Sequence, residues 1–110
     1  MDNYHTYKSC IEACLKCVVV CNRCASSCAQ EKDIDMMRRC IQLDMECAAI
    51  CDAAAQLMSL GSDSAKEICH ILVGICEECA HECGKHENEH CHECAEACTQ
   101  CALECSAMAA

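Results

Sequence analysis

Cysteine recurs in the first third of the chain at intervals of four, three, four, three and four residues, from Cys10 to Cys28. Steps of three and four keep side chains on one face of an α-helix. The alternation returns near the C-terminus, from Cys91 to Cys105. The spacing therefore predicts two long helices whose buried face, normally Leu or Ile, consists of thiols. Apolar packing alone does not require so much sulfur, and the pattern indicates soft-metal chemistry.

The composition favours helices strongly. The chain has 110 residues, with no Pro, three Gly and neither Phe nor Trp. Strand formers are scarce and helix breakers nearly absent, which predicts an all-α fold. This length suits one small domain over residues 1–110 with a modest core.

Four helical segments are predicted. They cover about residues 3–30 and 33–60, a third segment from a capping box at Ser64 and Glu67 to residue 86, and residues 88–108. Asp33 is placed to cap the second helix, and Gly61 to end it. Short connections between helices of similar length predict antiparallel neighbours, and cysteine intervals averaging 3.5 residues are typical of bundles. We expect an antiparallel up-down-up-down four-helix bundle with a Cys-lined core.

The second helix carries fewer thiols than the others. Its predicted inward positions are Met36, Cys40, Asp44, Cys47, Cys51, Ala54 and Met58. An unpaired buried carboxylate is costly, so we expect Asp44 to be paired, hydrogen-bonded or facing a metal. The third helix is expected to point Cys69, Leu72 or Val73, Cys76, Cys79, Cys83 and His86 inward. Met58 and Met108 are interpreted as apolar plugs at one end of the bundle.

A secreted disulfide scaffold is the usual interpretation of so many cysteines. The first residues show neither a basic segment nor an apolar one, so no export signal is visible. Cysteines three or four residues apart on one helix are also poorly placed to bridge each other. We therefore expect free thiols and a cytoplasmic protein. The net charge of −10 disfavours nucleic acid, and the apolar stretches are too short for a membrane span.

The choice of metal follows from charge. Thiolates select Cu(I), Zn or iron–sulfur clusters. A Zn site with four thiolates keeps two negative charges in a low-dielectric core, whereas one Cu(I) per thiolate is neutral. A continuous sulfur stripe therefore favours many Cu(I) ions. A protonated Cys is a small hydrophobe, so the copper-free bundle is expected to stay folded.

The chain resembles the copper storage proteins, in particular their cytosolic branch that lacks an export signal. The resemblance is carried by the series from Cys10 to Cys28, by Cys76-x2-Cys79-x3-Cys83, and by the stretch from His90 to Cys105. It implies a four-helix bundle that binds many Cu(I) ions through Cys, and assembly as a homotetramer. By the same resemblance all eighteen cysteines are candidate ligands: Cys10, Cys14, Cys17, Cys21, Cys24, Cys28, Cys40, Cys47, Cys51, Cys69, Cys76, Cys79, Cys83, Cys91, Cys94, Cys98, Cys101 and Cys105.

Three further residues are candidate ligands: Asp44, His86 and His90. In the predicted topology the two histidines lie near Cys28 and Met36 or Met37, where imidazole, thioether and thiol would suit Cu(I) entry. His92 is a weaker candidate, and His5, His70 and His81 are expected at the surface.

The resulting hypothesis is a cytosolic Cu(I) storage protein, not an enzyme. The alternatives are a Zn or Cd buffer like metallothionein and an iron–sulfur electron-transfer protein. The absence of Pro argues against the usual ferredoxin motif.

Overall fold

A computed structural model describes residues 3–109, in which four helices and no strands are present. The helices are α1 (Asn3–Cys28), α2 (Ile34–Ser59), α3 (Ala65–Cys83) and α4 (Glu89–Ala109). The prediction of an all-α four-helix fold is confirmed. None of these helices combines the length and apolar character that a bilayer span requires.

The helices form a closed ring in chain order. Each helix packs against the next and α4 returns to pack against α1, while the backbones of diagonal helices stay apart and only their side chains meet at the axis. Sulfur contacts show antiparallel neighbours, since Cys14 lies against Cys105 at one end while Cys28 lies against Cys91 at the other. The molecule measures 51 × 19 × 18 Å. We call the end with residues 29–33 and 84–88 the two-loop end, and the end with residues 60–64 the one-loop end.

The core consists largely of cysteine. All eighteen Cys side chains are buried, and hydrocarbon side chains such as Leu43, Leu72 and Ala54 complete the interior. Because a protonated thiol packs like a small apolar group, this interior can hold the helices together without a ligand. Exposed ion pairs such as Arg23–Glu93 and Arg39–Glu78 join neighbouring helices and add little stability.

The turn at the one-loop end is a Schellman motif. The backbone N–H of Ser62 donates to the Leu57 carbonyl at 3.0 Å, and that of Gly61 donates to the Met58 carbonyl at 3.1 Å. Gly61 has φ of 68°, the left-handed conformation that this motif requires. The prediction that Gly61 ends the second helix is confirmed.

Other details of the helix ends differ from the sequence prediction. The capping box at Ser64 and Glu67 is wrong, because Ser64 makes no side-chain cap and its N–H donates to the Ser62 hydroxyl at 3.0 Å. The Ser64 N–H is the group that would donate to the Glu67 side chain in a capping box, and it is already bonded to Ser62. Asp33 does stand at the N-cap of α2, again without a side-chain cap. Helix α3 ends at Cys83, so His86 lies in the following loop.

Met36 was predicted to point inward, and this is wrong. Its side chain is 64% exposed, whereas Met37 is buried. Met37 stands seven residues before Asp44, which in turn precedes Cys51 by seven. It therefore follows the bundle's 3.5-residue repeat more closely than Met36 does.

Substitution of the glycines tests the turn. We expect Gly61→Ala to lower the free energy of unfolding of the reduced, copper-free protein by about 1 kcal/mol, because an L side chain is strained at this φ. The matched control is Gly74→Ala within α3, where a new methyl group meets nothing within 4 Å. We expect this control to raise stability by roughly 0.5–1 kcal/mol. Equal effects in urea denaturation would contradict this account of the turn.

Candidate metal centre

The cysteine sulfurs form one column along the bundle axis. In its middle, Cys17 Sγ lies 3.7 Å from Cys21 Sγ on the same helix, 3.6 Å from Cys47 Sγ on α2 and 3.7 Å from Cys98 Sγ on α4. Cys47 Sγ in turn lies 3.5 Å from Cys76 Sγ on α3. All four helices therefore contribute sulfur at this level.

Groups of four sulfurs overlap along the column. In each group the ligand atoms lie within 4.8 Å of one another, which is close enough to surround one metal ion. The groups include Cys17–Cys51–Cys76–Cys101, Cys17–Cys21–Cys47–Cys98, Cys21–Cys79–Cys94–Cys98 and Cys24–Cys28–Cys40–Cys91. Because Cys17, Cys21 and Cys98 each belong to two of these groups, the centre is a continuous series and not a set of separate sites.

A buried carboxyl group interrupts the thiols of α2. Asp44 is completely buried. Its Oδ1 accepts hydrogen bonds from the thiols of Cys79, Cys83 and Cys94 at 3.3, 3.4 and 3.1 Å, and its Oδ2 accepts one from Cys40 at 3.8 Å. The expectation that Asp44 would be hydrogen-bonded is confirmed. Burial raises its pKa to about 9, so at neutral pH the group is a carboxylic acid.

His90 closes the column at the two-loop end. Its Nδ1 lies 3.7 Å from Cys24 Sγ, 3.7 Å from Cys28 Sγ and 3.6 Å from Cys91 Sγ. On the other side of the ring, Nε2 lies 3.4 Å from a carboxylate oxygen of Glu31. An Nε2–H that donates to Glu31 leaves the Nδ1 lone pair facing three sulfurs, which is the usual arrangement behind a metal-binding His.

The other histidines lie away from the sulfurs. His86 Nε2 pairs with Glu82 at 3.2 Å, and its contact is with this carboxylate instead of a thiol. His86 also lines a surface pocket of about 810 Å³ at the two-loop end, together with Glu31 and Met36. The side chains of His5, His70 and His81 are exposed as predicted, and so is that of His92.

Thiols near the ends of the column hold their protons tightly. Burial raises the pKa of the Cys91 thiol to about 11. Burial, together with the neighbouring Cys101, also raises the pKa of Cys69. These thiols are therefore neutral in the metal-free protein at pH 7, and a metal must displace protons in order to bind them.

One pair of cysteines is not free in this structure. Cys10 of α1 and Cys105 of α4 form a disulfide at the one-loop end, and the remaining sixteen cysteines are free thiols. The expectation that every thiol would be free is wrong for this pair. The spacing argument considered neighbours on one helix, whereas these residues come from two helices whose Cα atoms approach to 5.3 Å.

Sequence reasoning missed two contacts of the candidate centre. Glu31 was assigned to a connecting loop, yet it orients the ring of His90. Met58 was interpreted as an apolar plug, yet its sulfur contacts a thiol of α3. The first contact joins distant parts of the chain and the second crosses the turn between α2 and α3, so the spacing within one helix reveals neither.

The pKa of Asp44 predicts how the stability of the copper-free protein depends on pH. The folded protein keeps this proton up to about pH 9, whereas the unfolded chain loses it near pH 4. The contribution of Asp44 to stability is therefore fully present below about pH 4 and is lost as the pH rises towards about 9. We expect Asp44→Asn to flatten the fall in Tm between about pH 5 and 7.5, because the amide does not titrate.

The control for this experiment is Asp52→Asn, which changes an exposed aspartate on the same helix. We expect the control to leave the slope of Tm against pH unchanged. Identical slopes for the wild type and both variants would show that Asp44 is ionised in the folded protein.

Comparison with known proteins identifies the family. The model of the family described as copper storage protein (Csp) matches residues 3–110. The uncharacterized cysteine-rich protein YhjQ of Bacillus subtilis (strain 168) is 47% identical over 90 residues, which is 82% of each chain.

Solved structures agree with this match. The Cu(I)-bound copper storage protein BsCsp3 from Bacillus subtilis is 46% identical, with a TM-score of 0.91 over 94% of this chain and 98% of that one. A cytosolic copper storage protein from Streptomyces lividans, solved with five coppers, is 34% identical, with a TM-score of 0.92 over 97% of this chain and 94% of that one. The chain thus belongs to the copper storage protein family.

Proposed function

We propose that this protein stores Cu(I) ions inside the bundle, bound by the thiolates of the sulfur column. The observation that carries the proposal is the overlap of the four-sulfur groups, in which one thiol borders two metal positions. A sulfur that bridges two ions makes such sharing possible along the whole axis. The family supports a storage role over a catalytic one, and we infer that the protein is not an enzyme.

Charge favours Cu(I) over divalent ions in this column. Tetrahedral Zn takes four donors per ion, so two neighbouring groups that share Cys17 or Cys21 could both hold Zn only through bridging thiolates. Four thiolates around Zn also leave a net charge of −2 in the interior, whereas Cu(I) and thiolate in equal numbers are neutral. The Zn or Cd buffer and the iron–sulfur protein are therefore not favoured. The iron–sulfur alternative can be tested by inspection, because a purified iron–sulfur protein would be brown and would contain acid-labile sulfide.

The proposed ligands are the eighteen cysteines together with Asp44, His86 and His90. Asp44 would lose its proton to act as a ligand between Cys40 and Cys83, with which it shares a possible metal position. Reduction of the Cys10–Cys105 disulfide would free the last two thiols. His86 would act at the entrance, after its ring leaves Glu82.

Copper is proposed to enter at the two-loop end. His90 is the one histidine in residues 3–109 whose ring contacts the sulfur column, and the pocket beside it opens to solvent next to Met36 and His86. Burial lowers the pKa of His90, but Cys24 and Glu31 raise it by more, so it lies above the ordinary value. Uptake through this residue should therefore slow as the medium becomes acidic.

We further propose that the protein acts in the cytoplasm as a homotetramer. The Streptomyces relative is described as cytosolic, and most of the thiols of this chain are free. Large apolar side chains such as Leu15, Val19 and Leu103 are exposed on the helices, and burial between copies would stabilise an oligomer. Sedimentation equilibrium should give the mass of four chains, and a monomeric mass would contradict the tetramer.

Storage predicts a large capacity. Reduced, copper-free protein titrated anaerobically against a competing chelator should bind on the order of one Cu(I) per cysteine and release about one proton per thiol bound. Circular dichroism should show high helicity before any copper is added, because the thiols already fill the core. A plateau at a few equivalents, or a chain that is disordered without metal, would reject the proposal.

Replacement of both entrance histidines tests the route. We expect the double variant His86→Ala/His90→Ala to take up Cu(I) several-fold more slowly with little loss of final capacity, because the column itself is intact. The control is His70→Ala/His81→Ala, which removes two exposed histidines of α3. Uptake rates are measured by stopped flow. Equal rates in the two double variants would contradict the proposed entrance at His86 and His90 and would not affect the proposed storage function.

A further inference from the structure

The one-loop end of the column contains a pair of sulfurs of two different kinds. Met58 lies in the last turn of α2, and Cys69 lies in the second turn of α3. The Cys69 thiol donates to the Met58 thioether, with a distance of 3.7 Å between the two sulfurs. Both side chains are completely buried.

Cys69 differs from the other cysteines in its partner. Within the described residues, every other cysteine contacts or is bonded to the sulfur of another cysteine, as Cys14 contacts Cys101 and Cys10 is bonded to Cys105. For Cys69 the thioether of Met58 is the sulfur partner. The sulfur in direct contact with Cys69, and so the second donor already in place beside it, is that of a methionine.

The position of Met58 in α2 fits this role. Met58 follows Cys51 by seven residues, as Cys51 follows Asp44, so it continues the line of α2 side chains that face the axis. Apolar Leu43 is buried on the same helix outside this line. Methionine thus stands at the next position where a donor to the column is expected, and its flexible chain lets the sulfur move towards an ion.

Thioether and thiolate together suit Cu(I). Both are soft donors, and soft donors select Cu(I). The thioether carries no charge, so one Cu(I) bound by one thiolate and one thioether is neutral, as complete burial requires. A divalent ion at the same two sulfurs would leave a net positive charge in the core.

On the basis of the proposed storage function, we propose that Met58 and Cys69 hold a Cu(I) ion as a terminal thioether–thiolate site at the one-loop end. Binding breaks the S–H bond of Cys69, forms a Cu–S bond and releases the proton to solvent, while a lone pair of the Met58 sulfur makes the second bond. Copper stays Cu(I) throughout, and no oxidant or reductant takes part. Neither Met58 nor Cys69 takes part in the Cys10–Cys105 disulfide.

The direct test is a crystal structure of the wild-type protein saturated with Cu(I), with anomalous data at the copper absorption edge. We expect an anomalous peak within bonding distance of both Met58 Sδ and Cys69 Sγ. Copper along the cysteine column without any ion bonded to Met58 overturns this inference and leaves storage intact. A saturated crystal with no copper in the column overturns the proposed storage function itself.

Variants give an independent readout. We expect Met58→Leu, which preserves the volume and removes the sulfur, to lose one equivalent of Cu(I) per chain in competition with a chelator. The matched control is Met108→Leu, which changes a half-buried methionine of α4 at the same end. Equal capacities in the two variants, with unchanged helicity before loading, would mean that Met58 is only an apolar plug.

Discussion

The thiol–thiol contact between helices is the interaction on which this structure depends. A protonated thiol is apolar enough to pack in a core, so the contacts that stabilise the empty bundle are made by the atoms that a metal would bind. Sulfurs from all four helices meet around Cys17, at distances of 3.5 to 3.7 Å. Packing therefore places the donors before any ion arrives, and loading does not have to bring distant groups together.

The donors change along the axis of the bundle. The two-loop end has the imidazole of His90 beside three thiols, the interior has the carboxylic acid of Asp44 among four thiols, and the one-loop end has the thioether of Met58. Each of these groups differs from thiolate in charge or basicity. An ion bound at one level would therefore have different donors within reach from an ion bound at another, although thiols predominate throughout.

Much of this arrangement could be predicted from the sequence, because the spacing of the cysteines determines which face of each helix is buried. The alternation of three and four residues placed every cysteine inside, and the scarcity of Gly and Pro left only short connections between long helices. Asp44 was also recognised, since a carboxyl group on a buried face requires hydrogen-bond partners.

Most of the details that were not predicted depend on contacts between distant parts of the chain. The choice between Met36 and Met37 is different, because the seven-residue step from Met37 to Asp44 already favours Met37. The approach of Cys10 to Cys105 and the pairing of His90 with Glu31 both depend on how α1 meets its neighbours at the two ends. The capping box at Ser64 is missing for a local reason, since the Ser64 N–H already donates to the Ser62 hydroxyl.

The arrangement of the helices determines where a tag or a linker attached to the polypeptide would lie. Helix α1 begins and α4 ends at the one-loop end, where Cys10 and Cys105 meet. Affinity tags, fluorescent labels or surface linkers attached beyond these helix ends would thus lie at the opposite end of the 51 Å long axis from the imidazole of His90. Molecules immobilised through such a linker would keep the His90 end of the sulfur column away from the support.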